Sequence, residues 1–320
     1  ENGNSVWKPV TKLHHYENTP IVNIKRRNFH AEVTPNHRWM LYHERDDYRF
    51  FMNTERLRQY RNVGIERFGN YTFPIKSPYT DDYVQLAAWF FSEGSIRQRP
   101  RYKNNSISIY QSERANPEFC EHIRQLLQRM NENHCEGTPT KRDGTIAWEI
   151  YGNACKQLLQ EFPNKVPTWE FLFSLTEEQC AIFVETSICA DGYLLKNSKR
   201  HGRKVGITQN MRTQDLIWIL QGAMFLLKRP SSVQVDTKYN KILLQESRQK
   251  YIRMDCTDFY DKGKSIIENS KITEGDTWCV EVETGAFYTQ CNGYVYVTGN
   301  SVDSASWIKY AAFGGIMIPA

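Results

Sequence analysis

The sequence predicts a multidomain chain in which an all-β domain is interrupted by an α+β domain made of two similar halves. Three observations predict this arrangement. Residues 1–77 contain short alternating strands, residues 266–300 return to that pattern, and residues 78–265 contain one pattern twice. The chain has 320 residues, enough for two or more domains with cores of their own.

The composition is that of a soluble globular protein, with 24% charged and 40% hydrophobic residues. The net charge of +5 is compatible with a nucleic-acid partner but does not require one. No apolar run reaches the ~18 residues of a transmembrane helix, and we expect no signal peptide and no membrane partner. The eight cysteines form no CxxC pair and are too sparse for a disulfide framework. This pattern disfavours a zinc site and predicts a reducing, cytoplasmic location.

The first segment is predicted to be all-β. Alternation of apolar and polar residues indicates strands at Val6–His14 and Thr19–Lys25, followed by a third at Phe29–Thr34.

A Thr and a His follow these strands in the stretch VTPNHRW. Thr34 and His37 are three positions apart, which could place a hydroxyl and an imidazole on one side of a tight turn. An imidazole there can protonate a departing amine, and a hydroxyl can fix its tautomer. An ordinary surface turn with a hydrophilic His fits the same residues.

The last segment contains two strand-like runs, Cys279–Val282 and Tyr294–Val297, separated by Gly285 and the turn pair Asn292-Gly293. It ends in Asn300-Ser301. An Asn amide can attack its own main-chain carbonyl and cut the chain as a succinimide forms, and a Ser hydroxyl just beyond can carry an acyl group. The alternative is a hairpin with an Asn in its loop.

The middle segment is a repeat with an offset of 98 residues. Leu86–Gly94 and Val184–Gly192 are similar and end in an acid followed by Gly. The same offset aligns two strands and two helical patterns, so each half reads helix, basic loop, strand, helix. The aligned strand residues are Ile107, Ile109 and Gln111 with Val205, Ile207 and Gln209, and the aligned helices are Pro117–Met130 and Gln214–Leu227.

The first helix of each half carries small residues four positions apart on one face, which favours close packing of the two helices. These residues are Ala88 and Ser92 in one helix, and Thr186 and Ala190 in the other. Gly suits the turn at the end of each helix. Side-by-side packing would bring Glu93 and Asp191 together, where two carboxylates repel unless cations lie between them. Mg²⁺ prefers such oxygen ligands and activates water for attack on a phosphodiester. The alternative is a pair of amphipathic core helices.

The loop after each acid is basic, and each loop leads into a strand. A twofold pair of basic β-ribbons suits the two halves of a DNA site, although charge runs are usually solvated surface. The candidate DNA-binding residues are Arg97, Arg99, Arg101 and Lys103 in the first loop, and Lys196, Lys199, Arg200, Arg203 and Lys204 in the second. Further candidates for base or phosphate contacts are Tyr102, Gln111, Gln209, Lys241 and Lys250.

The two outer segments resemble inteins. VTPNHRW resembles the T-x-x-H block, and the terminal stretch resembles the last two blocks, so the resemblance implies a Hint (hedgehog/intein) fold, an all-β horseshoe. Trp39, Cys279 and Thr298 resemble the set that marks class 3 inteins, which use the internal Cys as nucleophile. The resemblance implies that Cys279 attacks the upstream splice junction while His37, near Thr34, assists loss of the amine.

In the remaining steps that the resemblance implies, the acyl group moves to Ser301 and Asn300 cyclises, without a cofactor. Residues 301–320 would then begin the host protein, the C-extein, and Asp303–Trp307 faintly resembles a segment of tRNA-guanine transglycosylase-like enzymes.

The chain departs from the intein pattern in three places. Gly299 stands where most inteins have His, and Thr284–Phe287 lacks the His of the preceding block. Nothing before Thr34 resembles the first intein block. We therefore expect the missing N-terminal segment as a partner, in cis or as a separate split fragment.

The repeat resembles the LAGLIDADG homing endonucleases in their double-motif, single-chain form. This resemblance implies that Glu93 and Asp191 are catalytic and bind Mg²⁺, and that the partner is double-stranded DNA. The expected domains are 1–77 and 266–300 for the splicing fold, 78–265 for the endonuclease with repeats of about 78–165 and 166–265, and 301–320 for the C-extein.

Two alternatives remain at this stage. One is a DNA-binding protein or maturase with an inactive endonuclease. The other is a hedgehog-type autoprocessing domain, which cleaves without ligation and needs no terminal Asn.

Overall fold

The computed structural model describes residues 4–5, 8–26, 29–59, 63–98, 105–195, 204–247, 250–253 and 272–299. These ranges form helices and mostly antiparallel sheets, and the chain divides into two compact units. The first unit comprises residues 1–72, 228–233 and 247–320, and the second comprises 73–227 and 234–246. Within the described ranges, no helix is both long and apolar enough to cross a membrane.

The six helices of the described residues are α1 (Asp81–Glu93), α2 (Pro117–Arg129), α3 (Asn153–Glu161), α4 (Trp169–Phe173), α5 (Glu177–Asp191) and α6 (Gln214–Leu226). The strands are β1 (Asn4–Ser5), β2 (Lys12–Arg26), β3 (Phe29–Val33), β4 (Arg38–His43), β5 (Tyr48–Asn53), β6 (Val63–Glu66), β7 (Asn70–Tyr71), β8 (Gly94–Arg97), β9 (Ser106–Ser112), β10 (His134–Glu136), β11 (Thr145–Ile150), β12 (Gly192–Leu195), β13 (Lys204–Asn210), β14 (Ser231–Asp236), β15 (Lys241–Glu246), β16 (Tyr251–Arg253), β17 (Ile272–Glu281), β18 (Ala286–Cys291) and β19 (Tyr294–Gly299).

The first unit contains a three-stranded sheet in the order β17-β2-β3 and a four-stranded sheet in the order β16-β6-β4-β5. In place of the two strands predicted at 6–14 and 19–25, the structure has the single long strand β2; Val6 lies outside the described residues. The register of β2 against β17 shifts between Gly275 and Thr277, and Asn18 of β2 has a φ of +53°. A bulge adds one extra residue to a strand, and the alternation of apolar and polar residues resumes beyond it. The break between the two predicted strands is therefore a bulge within the single strand β2.

The hairpin β18–β19 is closed by the predicted turn pair. Asn292 and Gly293 have φ values of +49° and +83°, and positive φ at both central residues is the requirement of a type I′ turn. A Cβ on Gly293 would also lie 1.9 Å from the carbonyl oxygen of Val233. Residues 286–291 lie outside the two predicted strands, and they form the strand β18 that pairs with β19.

The core of the first unit is aromatic. Phe29, Trp39 and Tyr296 are buried, with the ring of Phe29 5.1 Å from that of Tyr296 and 6.2 Å from that of Trp39. Burial of each such side chain contributes about 1.5–3 kcal/mol. This packing fixes β4 against β19 and therefore the turn that precedes β4.

The second unit repeats the same order of elements and the same strand pairing in its two halves. Each half reads α-β-β-α-β-β, with sheet orders β8-β9-β11-β10 in the first half and β12-β13-β15-β14 in the second. Strand β14 is divided between the units at residues 233 and 234. Gly94 pairs with Ile109, and Gly192 pairs with Ile207, so the register is the same in both halves at the offset of 98 residues.

The boundaries of the units differ from the expected 77/78 and 265/266. The first boundary lies between residues 72 and 73. Residues 251–253, which the sequence analysis placed in the inserted domain, belong to the first unit. The reason is that β16 pairs with β6 and extends a sheet of that unit.

Candidate active sites

Helices α1 and α5 lie side by side and run in the same direction. Near their starts, Gln179 Nε2 donates to Asp81 Oδ1 at 3.0 Å and to the carbonyl oxygen of Tyr79 at 2.8 Å. Further along the pair, the ring of Phe91 in α1 meets that of Phe183, in the middle of α5, edge to face with centroids 6.3 Å apart. Parallel packing of two equivalent helices brings their last residues to the same end of the pair.

A glycine follows each of these helices, as predicted, but it does not adopt the left-handed conformation common at helix ends. Gly94 and Gly192 have φ values of −91° and −85°, which any residue can adopt. A Cβ at these positions would lie 2.4 Å from the carbonyl oxygen of Phe90 and 2.3 Å from that of Ile188. Each Gly therefore lets the chain turn from helix into strand directly against the last helical turn.

The carboxyl groups of Glu93 and Asp191 hydrogen-bond to each other at the ends of α1 and α5. Burial, the negative charge of Asp191 and this hydrogen bond raise the pKa of Glu93 to about 8. Burial also raises the pKa of Asp191, and the hydrogen bonds from Glu93 and Gln209 oppose that rise. Because burial and the neighbouring negative charge both oppose ionisation of Glu93, the pair holds a proton near neutral pH.

Lys165 lies near these two acids, and no sequence motif predicted it. It follows α3 with a φ of +57°, and its Nζ donates to the carbonyl oxygen of Ser92 at 3.3 Å. Burial lowers the pKa of Lys165, while the charges of Asp191 and Glu93 oppose that shift. Lys165 lies in the segment between the two repeats, where a lone Lys after Pro-Asn has the pattern of a surface turn, so no local signal marks it.

The two glutamines at equivalent positions of the repeat have different partners. The Gln209 amide nitrogen donates to Asp191 Oδ2. Gln111 instead accepts hydrogen bonds from Ser112 N at 2.8 Å and Asn116 Nδ2 at 2.9 Å. Its own buried amide nitrogen has no partner among the described residues. The backbone of the site is therefore symmetric while its polar side chains are not.

The donor set suits a hard divalent cation. Glu93 and Asp191 offer carboxylate oxygens, which Mg²⁺ prefers. The described part of the chain has no group of three His, Cys, Asp or Glu residues placed for a metal. A cation between these two acids would therefore take further ligands from water or from a phosphate, as Mg²⁺ commonly does.

Of the basic candidates, Arg97 is described in full. It is exposed on β8, and its Nη2 donates to the hydroxyl of Tyr110 at 3.0 Å. Lys204 belongs to β13, and only its backbone is described. The candidates outside the described residues are Arg99, Arg101, Tyr102, Lys103, Lys196, Lys199, Arg200 and Arg203.

The remaining candidates Lys241 and Lys250 belong to different units. Lys241 is exposed at the start of β15, in the same unit as the paired acids. Lys250 belongs to the first unit, where its Nζ lies 6.0 Å from the centre of the Phe68 ring.

The first unit holds a second polar site, around His37. His37 N donates to the carbonyl oxygen of Thr34 at 3.1 Å and closes the turn before β4. The imidazole Nε2 lies 2.7 Å from Thr298 Oγ1, and the ring meets Trp39 edge to face at 4.6 Å. The sequence pattern predicted that the Thr34 hydroxyl orients the imidazole. The structure places the hydroxyl of Thr298 there, because β19 brings that residue to the turn.

Thr54 holds this site together and was not identified from the sequence. Its Oγ1 accepts from Trp39 Nε1 at 2.9 Å and donates to the carbonyl oxygen of His37 at 3.3 Å. Its backbone N donates to the same oxygen at 3.0 Å. Thr54 begins a short 3₁₀ helix, a position that carries no motif.

His37 is neutral in the folded protein. Complete burial lowers the pKa of its imidazole to about 3. Its Nδ1 is buried and has no hydrogen-bond partner among the described residues. Because Nε2 of the neutral imidazole lies within hydrogen-bond distance of the Thr298 hydroxyl, His37 can accept a proton that this hydroxyl passes on.

Cys279 is buried on β17 and pairs with His14 of β2. Its Sγ lies 3.4 Å from the carbonyl oxygen of Val280. Among the residues proposed for splicing, the structure joins His37 to Thr34, Trp39 and Thr298. Asn300 and Ser301 lie outside the described residues.

Outside the splicing candidates, the thiols of Cys120, Cys135, Cys155, Cys180, Cys189 and Cys291 are free.

Comparisons with known proteins find similar chains among solved structures. No protein-family model and no curated protein sequence matches this chain. Among solved structures, the chain is similar to the homing endonuclease I-DmoI in complex with DNA and Mn, with 14% identity and a TM-score of 0.38 over 52% of this chain and 89% of that one.

Two further neighbours are the LAGLIDADG meganuclease I-AabMI bound to uncleaved DNA and the N-terminal LAGLIDADG domain of DUF199/WhiA. I-AabMI has 12% identity and a TM-score of 0.34 over 52% of this chain and 78% of that one. The WhiA domain has 11% identity and a TM-score of 0.35 over 52% of this chain and 76% of that one. With TM-scores this low, the assignment of the site rests on the residues of this chain.

Proposed function

We propose that this chain is an intein of the class 3 kind that carries a double-motif LAGLIDADG homing endonuclease. In this proposal, the first unit is a Hint domain that splices itself out of a host protein. The second unit is a hydrolase that cuts both strands of a DNA site. The observation that carries the endonuclease half is the hydrogen-bonded pair Glu93 and Asp191 at the ends of two equivalent parallel helices.

The second unit supplies the parts that phosphodiester hydrolysis needs. Glu93 and Asp191 would hold Mg²⁺, which supplies activation of water and neutralisation of charge on the phosphate. Gln209 holds the Asp191 carboxylate in place, and Lys165 supplies a buried positive charge next to both acids. The buried position of Lys165 lowers its pKa and so makes proton exchange with water easier near neutral pH. The basic residues of the two ribbons would contact the DNA backbone.

The test of this half starts from a pool of randomised DNA duplexes. Duplexes retained with Ca²⁺ are recovered and then incubated with Mg²⁺. Glu93→Gln and Asp191→Asn should stop cutting and spare binding, because each removes a ligand charge and little volume. The matched control is Glu121→Gln on the exposed face of α2, which should cut normally. Binding without cutting by the unaltered chain would favour the rival, a DNA-binding protein with an inactive site.

The observation that favours splicing is the contact of His37 with Thr298, which links the T-x-x-H turn to the strand before Asn300. In the proposed sequence, the Cys279 thiolate attacks the carbonyl carbon at the upstream junction, and the departing amine takes a proton with the help of His37. The acyl group then moves from sulfur to the oxygen of Ser301. Cyclisation of Asn300 cuts the chain, and an O-to-N shift joins the host segments.

The test of this half uses the chain as it stands. Cyclisation of Asn300 should release the peptide 301–320 and leave a succinimide at the new C-terminus, both of which mass spectrometry detects. Asn300→Ala should release nothing. Release with Glu93→Gln and Asp191→Asn should equal that of the unaltered chain, because the acids belong to a unit with its own core. Loss of release in those variants, with the first unit still folded, would contradict the independence of the two activities.

A further inference from the structure

We propose that His14 is the general base that activates Cys279: its imidazole takes the thiol proton, and Glu281 holds the imidazole in position. This inference rests on the splicing function proposed above and deepens it, because neither the T-x-x-H turn nor the set Trp39, Cys279 and Thr298 assigns a base to the thiol. The three residues of the proposed group belong to β2 and β17, and the structure describes all of them.

The first observation is the register of these two strands. Cys279 pairs with His14, in an unbroken run of pairs from Trp278 to Glu281. Directly opposed residues of antiparallel strands project to the same face of the sheet, with Cβ atoms about 4.5–5.5 Å apart. The next pair shows how close such side chains are here, because the rings of His15 and Trp278 stack with centroids 3.9 Å apart. Successive residues of a strand alternate between faces, so the thiol and the His14 imidazole are neighbours on the other face.

The second observation is that the His14 ring is held at this position from two sides. Along β2, the ring of Tyr16 stacks on it with centroids 6.4 Å apart. Across the ribbon, His14 Nε2 lies 3.3 Å from Oε2 of Glu281, which is two positions after Cys279. Tyr16 and Glu281 lie on opposite sides of the pair formed by His14 and Cys279. The ring is therefore confined to the space next to the Cys279 side chain.

The hydrogen bond to Glu281 also determines which ring nitrogen is basic. A carboxylate only accepts hydrogen bonds, so the neutral imidazole donates its Nε2 proton to Glu281 and carries no proton on Nδ1. Nδ1 is then the atom that takes a proton from the thiol. The charge that His14 gains lies beside the Glu281 carboxylate. A nucleophile, a base and a group that orients the base are the arrangement that activates a Cys in covalent catalysis.

The burial of Cys279 makes such a base necessary for its chemistry. Cys279 is only 6% exposed, and burial in apolar surroundings opposes the charge of a thiolate. An adjacent imidazolium offsets this effect, because it places an opposite charge next to the sulfur. His14 is partly exposed and can therefore exchange its proton with solvent.

The proposed step balances in atoms and electrons. The S–H bond of Cys279 breaks, its electron pair stays on sulfur, and Nδ1 of His14 takes the proton. The thiolate then bonds to the carbonyl carbon of the upstream junction, and the bond from that carbon to nitrogen breaks. His14 returns its proton to solvent water, from which the departing nitrogen takes one with the help of His37.

The experiment measures how fast iodoacetamide alkylates Cys279 in the full chain at pH about 7, with peptide mapping by mass spectrometry. The thiolate is the reactive form, and an ordinary Cys has only a few per cent of it at this pH. His14→Gln should therefore slow alkylation of Cys279 by roughly 10-fold. The exposed Cys135 of the second unit is the internal reference, and its rate should not change.

The ribbon offers a matched control on its other face. His15 Nε2 lies 3.4 Å from Asp276 Oδ2, so it also forms a His–carboxylate pair, but His15 is opposite Trp278 instead of a Cys. His15→Gln and Asp276→Asn should leave the alkylation of Cys279 unchanged.

Glu281 is a positioning residue in this proposal, and its variants separate orientation from charge. Glu281→Gln keeps an acceptor for His14 Nε2 and should slow alkylation less than His14→Gln. Glu281→Ala removes the acceptor as well and should slow it more than Glu281→Gln. Glu281 is exposed, so these two variants test the proposal even if His14→Gln does not fold.

Two results would overturn this inference alone. One is an equal rate of Cys279 alkylation in folded His14→Gln and His15→Gln. The other is no alkylation of Cys279 in the unaltered chain while Cys135 reacts. A reactive Cys279 that depends on His14, in a chain whose Cys279→Ala variant still splices when the N-terminal segment is supplied, would uphold the activation of the thiol and overturn the proposed splicing route. The two failures are therefore distinguishable.

Discussion

Glu93 and Asp191 end two helices of different repeats, and their carboxyl groups hydrogen-bond to each other beside Lys165. Two acids from different repeats thus lie together, with the positive charge of Lys165 nearby. That arrangement costs free energy in the folded protein, and the cost depends on pH and on divalent cations.

The paired acids should make the second unit less stable as the pH rises. The pKa of Glu93 is raised from 4.5 to about 8, so between these values the folded state keeps a proton that the unfolded state has lost. The free energy of unfolding of the metal-free protein should therefore fall across this window and level off above it. Glu93→Gln removes the titrating carboxyl group. The melting temperature of this variant should therefore exceed that of the unaltered chain, and the difference should grow from acid to mildly alkaline pH. Each 1 kcal/mol corresponds to about 2–4 °C in a protein of this size. A difference that does not change with pH would contradict the assignment of the proton to this pair.

Binding of Mg²⁺ should release a proton. The pair holds a proton near neutral pH, and a divalent cation on both carboxylates must displace it. Calorimetric titration at pH about 7 in two buffers of different ionisation enthalpy measures this release, because the heat then depends on the buffer. Glu93→Gln, which carries no titrating carboxyl at that position, should show the same heat in both buffers. Buffer-independent heat with the unaltered chain would mean that both acids are already ionised.

Lys165→Met should lower the rate of DNA cutting by roughly 10²–10⁴-fold, the usual contribution of a proton-transferring group. DNA binding should change little, since the Lys165 side chain is half-buried near the acids. Its charge lowers the pKa of Glu93, so the variant should also move the pH dependence of stability to higher pH. Lys156→Met, at an exposed position of α3, is the matched control and should cut at the normal rate. Equal rates for the two variants would remove Lys165 from the site.

Thr54→Val should destabilise the first unit by about 1–3 kcal/mol, the cost of leaving buried polar groups unpaired. The change removes the acceptor of Trp39 Nε1 and one donor to the carbonyl oxygen of His37. Thr11→Val is the matched control, because Thr11 also donates to a carbonyl oxygen, that of Glu281, but is exposed. Urea unfolding monitored by tryptophan fluorescence gives both values. A loss in Thr54→Val no larger than that in Thr11→Val would contradict the role of Thr54.

Cys279→Ala should stop cleavage at the upstream junction when the missing N-terminal segment is supplied in cis or in trans. Asn300→Ala should instead stall as a branched ester or thioester that hydroxylamine resolves. Cys135→Ala, which removes an exposed thiol of the second unit, should splice normally. Gel analysis of the splicing products separates the three outcomes. Spliced product from Cys279→Ala would mean that Cys279 is only a buried apolar residue of β17 and that the first nucleophile lies elsewhere.

The sequence by itself determined the features that depend on neighbouring residues. The 98-residue offset predicted two equivalent halves, and the strand register repeats at that offset. The helical patterns Pro117–Met130 and Gln214–Leu227 differ from the observed helices by one residue at their ends. The pair Asn292-Gly293 predicted its turn, because only a few residues tolerate positive φ at both positions. The hydrophobic periodicity of helices and strands and the residue preferences of turns each involve only a few neighbouring residues. A single sequence is therefore enough to predict them.

Only the tertiary structure decided which distant side chains meet. Thr298 is 261 residues from His37, and its hydroxyl reaches the imidazole only because β19 packs beside β4. Lys165 joins the two acids because the segment after α3 returns to the end of α1, and nothing in its own surroundings in the sequence indicates this. Gly299 has no space for a side chain because the Arg38 carbonyl and the Phe51 ring fill it. Contacts of this kind depend on how whole elements dock, and docking is set by the shape of the core rather than by any local pattern.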